Sequence, residues 1–596
     1  MTICRFSPNL IWAFLLCFFS SFSVLAQYTN KASRVTKVRD LWEGGLLGQD
    51  LSGQGVEGWV YEGGEPFLDH VEFQGRVVMT TPAISTPGTH ATWSCGAMAG
   101  AGVKYGTRGA AYQSQIVYSS TQNLLPSYSN WEDQWVGEAI GSNAIVTNFS
   151  FASGSANLEF RDNIFRSVPH QLGVQGANYS APMWSSTSIK NVLTVGDVDC
   201  YSCVGQEDVD DSWCSALGPS KDGRIKPDIM SICDTVVATY NSICPDPTQC
   251  YGTYSCTSGA TAWASGAMLL LQELSLDVST ELLSGYALKA LVIHNAYDMW
   301  NPGPDYDSGW GLLDASKSAE FILLNGTCED FEIYDGQLDD GGVYTFDIVS
   351  SGTKPIKATL TWFDIAGAEI DYQTPGSVLV NNLDLRVYRL DNGVEVEEFN
   401  AFNLDPLNPG NLAYTEVNNV DNVEQVVVDS PSASTYRVQV SHQGTLSEPQ
   451  TFALCIGENP IDVGVDITNS SNVSLSDGAI DLSISGVNIV SYSWTGPNSF
   501  VASTEDITGL ESGAYIVDMT SDTGCTYTRQ FWVKCDCDAD FNGDMIIDSM
   551  DLLGILCVYN TVCVSWGCCP GDFDDDNFID SSDLTAFLAA YNGTCN

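Results

Sequence analysis

The sequence predicts a multidomain chain: an α/β domain first, all-β sandwich domains after it, and a small α-helical calcium-loop module at the end. Three observations carry this. Mixed helix and strand patterns run to about residue 325, then give way near Thr327 to short alternating strands such as Ala358–Trp362, Leu383–Tyr388 and Tyr436–Val440. The last sixty-odd residues hold a duplicated loop rich in aspartate, each copy followed by an apolar helical stretch. At 596 residues the chain is too long for one core, so several domains are expected.

The N-terminus reads as a secretory signal. Arg5 gives a positive start, Leu10 to Phe19 is apolar, and Val24-Leu25-Ala26 supplies a small-residue cleavage site before Gln27. The apolar run is short for a membrane span. Residues 1–26 are therefore assigned to the signal, and a secreted, membrane-free product is expected, with cell-surface association left open. No folded pro-domain fits between Gln27 and Gly55. Losing Cys4 and Cys17 with the signal leaves 18 of the 20 cysteines, an even number that favours disulfides in an exported chain. Cys328 and Cys455 stand at the two ends of one predicted domain and are expected to pair. The spacing Cys200-x-x-Cys203 passes for half a zinc site, but export and the lack of nearby histidine argue against it. The net charge of −51 excludes nucleic acid and anionic membranes as partners, which would be repelled.

Three separated segments carry the chemistry. Gly55–Gly64 is a short apolar strand ending in Glu62 and two glycines, and the C-terminal end of a parallel strand is where open α/β sheets place their sites. Gly88–Gly100 sets His90, one of five histidines, ahead of small residues at close-packing spacing. Cys256–Ala262 sets Ser258 between small residues where an apolar run begins. A helix starting at Ser258 aims its first amide groups and the positive end of its dipole at an oxyanion. Acid, histidine, serine is one chain order of the convergent serine triad.

At these residues the chain resembles the subtilisin-like serine peptidases (the S8 family), from about residue 40 to 320. His90–Gly96 is similar to the histidine block, with Ala91 where glycine is usual. Thr257–Ala262 is similar to the nucleophile block, with Cys256 for glycine and Ala262 for proline. Gly218–Ile229 resembles the segment ahead of the serine, and Gly309–Gly311 with Asp314-Ala315 the closing segment. The resemblance implies a doubly wound parallel sheet and an acyl-enzyme mechanism, with Glu62 standing where the family has aspartate. It implies Asn178, in Gly173–Tyr179, as the oxyanion asparagine, and Ala144–Ser150 as the edge that pairs with extended substrate. Ser-His-Glu sets occur in other serine hydrolases, so the swap is compatible with activity. The alternative is a catalytically inactive surface or adhesion protein that binds partners through its C-terminal modules.

The expected divisions are a peptidase domain over 27–325, a β domain over 326–457, a second β unit over 458–534 and the paired-loop module over 535–596. Asn381–Leu385 and Asn422–Val426 resemble a jelly-roll domain that follows many exported relatives, with Asp384 expected at a capped strand end and calcium binding there as the alternative. Residues 458–534 resemble an immunoglobulin-like adhesin repeat. In the tail, Asp540, Asn542, Asp544, Asp548 and Asp551 recur 32 residues later as Asp572, Asp574, Asp576, Asp580 and Asp583. Oxygen side chains at loop positions 1, 3, 5, 9 and 12, with the carbonyls of Ile546 and Phe578 at 7, follow EF-hand spacing and predict structural Ca2+. The pair resembles a dockerin module, which implies a cohesin-like or cell-surface partner.

Overall fold

The computed structural model describes residues 31–80, 86–104, 106–121, 141–151, 158–177, 189–200, 203, 205–240, 244–352, 354–367, 377–457, 461–470, 476–533 and 578–591, with isolated residues at 134–138 and 549–562. The signal segment and most of the tail loops lie outside them. The chain divides into two compact units, one of Lys31–Pro460 with Thr523–Cys525, the other of Ile461–Asp522 with the described residues from Thr526 onward.

The larger unit is built on a parallel sheet. Its strands are β1 (Glu57–Glu62), β2 (Val77–Met79), β3 (Gln115–Ser120), β4 (Val146–Phe149), β5 (Leu172–Gly176) and β6 (Val192–Asp199), with β7 (Asp210–Asp211) and β8 (Ile229–Ser231) both against β6. The order is β2-β3-β1-β4-β5-β6, parallel throughout, and β8 continues it in parallel. β1 and β4 to β6 are almost wholly buried, as expected of parallel strands covered on both faces. The antiparallel pair β9 (Thr235–Ala238) and β10 (Tyr251–Tyr254) lies apart from it.

Helices α1 (Thr89–Ala99), α2 (Leu158–Ser167), α3 (Cys256–Ser279), α4 (Gly285–His294) and α5 (Ala315–Leu324) complete the layers. α3 is buried continuously from Thr257 to Ser275, so its apolar run faces protein on every side. It packs on α1, β4 and β6. The small residues read from the sequence do serve this packing. A Cβ on Gly266 would lie 2.7 Å from the Ala110 Cβ. The closing segment Gly309–Gly311 is positional too: Gly311 has φ +118°, and a Cβ there would lie 2.2 Å from the Tyr297 carbonyl oxygen. Asp314 then caps α5 by accepting from the Lys317 amide at 2.8 Å.

The expected sandwich follows. β11 (Glu332–Leu338), β12 (Tyr344–Ser350), β13 (Ile356–Thr361), β14 (Asn382–Asp391), β15 (Val394–Asn400), the short pair β16 (Phe402–Asn403) and β17 (Tyr414–Thr415), β18 (Val423–Val428), β19 (Ser434–Gln443) and β20 (Gln450–Gly457) form two four-stranded antiparallel sheets, β11-β20-β13-β18 and β12-β19-β14-β15. Both contribute to one core that includes Trp362, Leu385, Val438 and Phe452. This sandwich is docked on the α/β layers inside the same unit. α4 packs against β5 on one side and against β13 and β20 on the other. The Lys190 ammonium is fully buried and bonds Asp364 at 2.5 Å and the carbonyls of Ile365 and Val378 at 2.6 and 2.8 Å.

Two expectations are corrected here. Cys328 is bonded to Cys525, and Cys455 is a buried free thiol on β20. Its register neighbours Ile333 and Thr359 hold it inside a central strand, so a position near the domain boundary did not bring it to Cys328. Asp384 sits within β14, not at a strand end, and is hydrogen-bonded by Gln443 at 3.0 Å and Arg386 at 3.3 Å. Cys200 and Cys203 bond each other, which removes them as zinc ligands. Among the described residues, further disulfides join Cys214 to Cys256 and Cys244 to Cys250.

The smaller unit holds a three-stranded sheet, β21 (Asp462–Thr468), β22 (Gly478–Ser485) and β25 (Ile507–Leu510), and a four-stranded sheet, β23 (Ile489–Gly496), β24 (Phe500–Ala502), β26 (Gly513–Ser521) and β27 (Thr526–Val533). Ile480, Trp494 and Val517 are buried in it. A final helix, α6 (Ser581–Ala590), is described in the tail.

Candidate active site

The sheet topology sets Glu62 and Ser150 at the carboxyl ends of adjacent central strands. Glu62 is the last residue of β1, Ser150 follows the end of β4, and β1 and β4 are adjacent in parallel. His90 is the second residue of α1 and Ser258 the third of α3, so both project from the first turns of packed helices. Carboxyl ends of parallel strands facing helix N-termini form the usual crevice of an open α/β sheet.

Glu62 and His90 meet. His90 Nδ1 is hydrogen-bonded to Glu62 Oε1 in a very short contact, with the carboxylate buried and the imidazole 43% exposed. Burial alone would lower the histidine pKa; the Glu62 hydrogen bond and charge outweigh it and raise the group above its ordinary value. The second carboxylate oxygen accepts from Ser94 Oγ at 2.7 Å. Tyr254, the end of β10, lies 3.1 Å from Ser94 Oγ and 3.4 Å from His90 Nε2 through its hydroxyl. Its ring stands edge-on to His90, at 5.5 Å between centroids.

Ser258 is coupled to Ser150 in both directions. Its Oγ donates to the Ser150 carbonyl at 2.8 Å, and the Ser150 Oγ donates to the Ser258 carbonyl at 2.8 Å. A hydroxyl has one proton to give, so in this rotamer the proton points at Ser150. Ser255, at the N-cap, makes no capping bond, which leaves the first amides of α3 unsatisfied by it. The helix begins at Cys256, two residues ahead of the expected start. Cys256 has φ +66°, in the left-handed region that favours glycine, at a cost of about 1–3 kcal/mol for any other residue. That is the physical content of a glycine at this place, and here the residue is tied to Cys214 instead. Gly259 is required for packing: a Cβ on it would lie 2.7 Å from the Cys233 Cβ. Gly259→Ala is expected to cost about 1–3 kcal/mol through overpacking, measurable as a lower urea midpoint.

Other predicted residues fall elsewhere. β5 ends at Gly176, two residues before Asn178, and Asn178 itself lies outside the described residues. β4 is paired on both sides, by β1 and β5, so it offers no free edge to a substrate; that expectation is corrected. The Gly218–Ile229 segment is structural, with Arg224 on Asp222 at 2.6 Å and Lys226 on Asp228, all buried. Cys95, near the acid, is a neutral thiol: burial and the Glu62 charge push its pKa well above the usual range.

Sequence reasoning overlooked Ser94, Ser150 and Tyr254. Ser94 had a signal, since it lies one helical turn after His90 on the same face. Tyr254 had none, because its neighbours come from α1 across the β9–β10 pair.

Residues 67–311 match the family model Peptidase_S8, the subtilase family. The chain carries a subtilisin-like peptidase domain. The matched span includes His90 and Ser258 and begins five residues after Glu62. The chain is 24% identical over 272 residues to the serine protease/ABC transporter B family protein tagA of Dictyostelium discoideum, across 41% of this chain and only 15% of that protein. The crystal structure of a lanthipeptide protease aligns with a TM-score of 0.38 and 14% identity, covering 51% of this chain and 97% of that one. A cold-adapted subtilisin-like serine proteinase aligns at a TM-score of 0.31 and 20% identity, over 45% and 90%. Among the described residues of the subtilase domain and the rest of the chain, no helix is long and apolar enough to cross a membrane.

Proposed function

We propose that this chain is a secreted serine endopeptidase that hydrolyses peptide bonds through an acyl-enzyme. The observation that carries the reading is the Glu62–His90 hydrogen bond, made at the end of β1, the strand beside β4, after which Ser150 bonds Ser258. Ser258 attacks the scissile carbonyl after its hydroxyl turns from Ser150 to His90 Nε2. His90 takes that proton and later gives it to the leaving amine, while Glu62 fixes the ring tautomer and stabilises the imidazolium. The oxyanion is met by the Ser258 amide and the α3 dipole, with Asn178 as the side-chain donor. Buried disulfides and the signal-like start support export. A fluorophosphonate probe tests the reading: wild type is labelled at Ser258 and Ser258→Ala is not. A folded wild type that stays unlabelled transfers the reading to the non-catalytic binding protein, which the bond from the Ser258 hydroxyl to the Ser150 carbonyl favours.

The pH dependence follows from His90. Only the neutral ring accepts the serine proton, and Glu62 raises its pKa above the ordinary 6.5. The acidic limb of kcat/KM is therefore expected to reach half its plateau above pH 6.5, with activity rising as pH rises. A midpoint below 6 would contradict this.

We further propose that the tail binds Ca2+ and engages a cohesin-like or cell-surface partner. The donors Asp540, Asn542, Asp544, Ile546, Asp548, Asp551, Asp572, Asp574, Asp576 and Phe578 lie outside the described side chains. The two described carboxylates, Asp580 and Asp583, form a capping box on α6: Asp580 accepts from the Ser582 amide and Asp583 from the Asp580 amide, both at 2.7 Å. An all-oxygen donor set suits calcium over softer metals. Calorimetry of the full chain with millimolar Ca2+ against excess chelator is expected to show a transition stabilised by about 2.7 kcal/mol at a hundredfold excess over Kd. Superimposable scans would remove the assignment.

A further inference from the structure

Glu62, Ser94, Tyr254 and His90 close a ring of hydrogen bonds. Glu62 Oε1 holds His90 Nδ1; Glu62 Oε2 accepts from Ser94 at 2.7 Å; Ser94 Oγ meets the Tyr254 hydroxyl at 3.1 Å; and that hydroxyl returns to His90 Nε2 at 3.4 Å. The proton count closes for the protonated ring: Ser94 spends its one proton on the carboxylate, the Tyr254 phenol donates to Ser94, and the phenol oxygen accepts from the Nε2–H of the His90 imidazolium. Glu62, Ser94 and Tyr254 are all buried. Ser94 is fixed by α1, four residues after His90, and Tyr254 by β10 and by its tilted contact with the Trp93 ring at 5.1 Å.

A glutamate carries its carboxylate on one more rotatable bond than an aspartate. Anchored by one oxygen, it is free to swivel and drag the imidazole with it. Anchored by both, it has one orientation. We propose that Ser94 and Tyr254 are positioning residues: Ser94 fastens the outer oxygen of Glu62 so that the inner oxygen stays in line with His90, and Tyr254 steadies Ser94 and the far side of the ring. This rests on the peptidase reading above.

The test is a kinetic double-mutant cycle on the full chain, with folding checked by circular dichroism. Ser94→Ala is expected to lower kcat about 10- to 100-fold with KM within about twofold, because a hydrogen bond to a charged group is lost without a substrate contact. Ser94→Thr, which keeps the hydroxyl, stays within about threefold of wild type. Tyr254→Phe keeps the ring and lowers kcat by a smaller factor, again at unchanged KM; it and Ser94→Thr carry the test if Ser94→Ala does not fold. Glu62→Asp and Ser94→Ala together cost no more than about twofold beyond the larger single effect, since each breaks the same anchor. Full kcat in Ser94→Ala, or Tyr254→Phe where it alone folds, overturns the proposal, as do effects that multiply as independent ones. An inert wild type overturns the peptidase reading as well; an active wild type with an equally active Ser94→Ala overturns this proposal alone.

Discussion

Glu62→Gln is expected to cut kcat about 10⁴-fold while leaving the domain folded. The amide is isosteric, but it presents an N–H to His90 Nδ1 and forces the wrong tautomer, a change that costs this much in another serine protease triad. His90→Ala and Ser258→Ala are expected to lose about 10⁶-fold, the order of loss seen when the histidine or serine of a subtilisin triad is removed. Combining any two adds little further, because the groups act as one unit. Active-site-titrated rates with a peptide substrate, alongside thermal melts, check both statements. Wild-type turnover in Glu62→Gln would mean that another acid serves His90, and the described contacts offer none at Nδ1 besides Glu62.

The second large effect lies far from the chemistry. Asp364→Ala is expected to destabilise the larger unit by about 3–5 kcal/mol, the cost of leaving a buried charge without its partner. Asp364 answers the fully buried Lys190 ammonium and also accepts from the amides of Val380 and Asn381, each at 2.8 Å. Removing it strands all three donors. Urea denaturation reads the loss as a lower midpoint. The companion variant Lys190→Met with Asp364→Leu is expected to recover much of it, since an apolar pair has no charge to bury. Equal stability of Asp364→Ala and wild type would show that the carbonyls of Ile365 and Val378 hold the ammonium unaided.

The candidate triad residues were legible because their chemistry is local. A strand that ends in an acid before two glycines, and small residues ahead of an apolar helix, each state where their side chain projects. Glu62, His90 and Ser258 could thus be placed on β1, α1 and α3 from pattern alone. The strands of the sandwich were legible for the same reason, through alternation. What escaped were features set by three-dimensional neighbours. Cys455 looked like a boundary residue and proved to be the interior of β20. Ala144–Ser150 looked like an edge, but pairing on both sides of β4 is a property of the sheet order and not of the segment. Tyr254 owes its place at His90 to β10 folding back on β9, which no periodicity announces.

The way α4 is held has a practical side. Its two faces are shared between the peptidase sheet and the β13–β20 surface, with the Tyr286 carbonyl accepting from Thr361 at 2.5 Å and His294 meeting Thr359 at 2.9 Å. Anyone trimming the gene after codon 325 to obtain a minimal enzyme would peel away a retaining wall. The product would show solvent an oily helix and an orphaned ammonium, and inclusion bodies are the outcome to plan for.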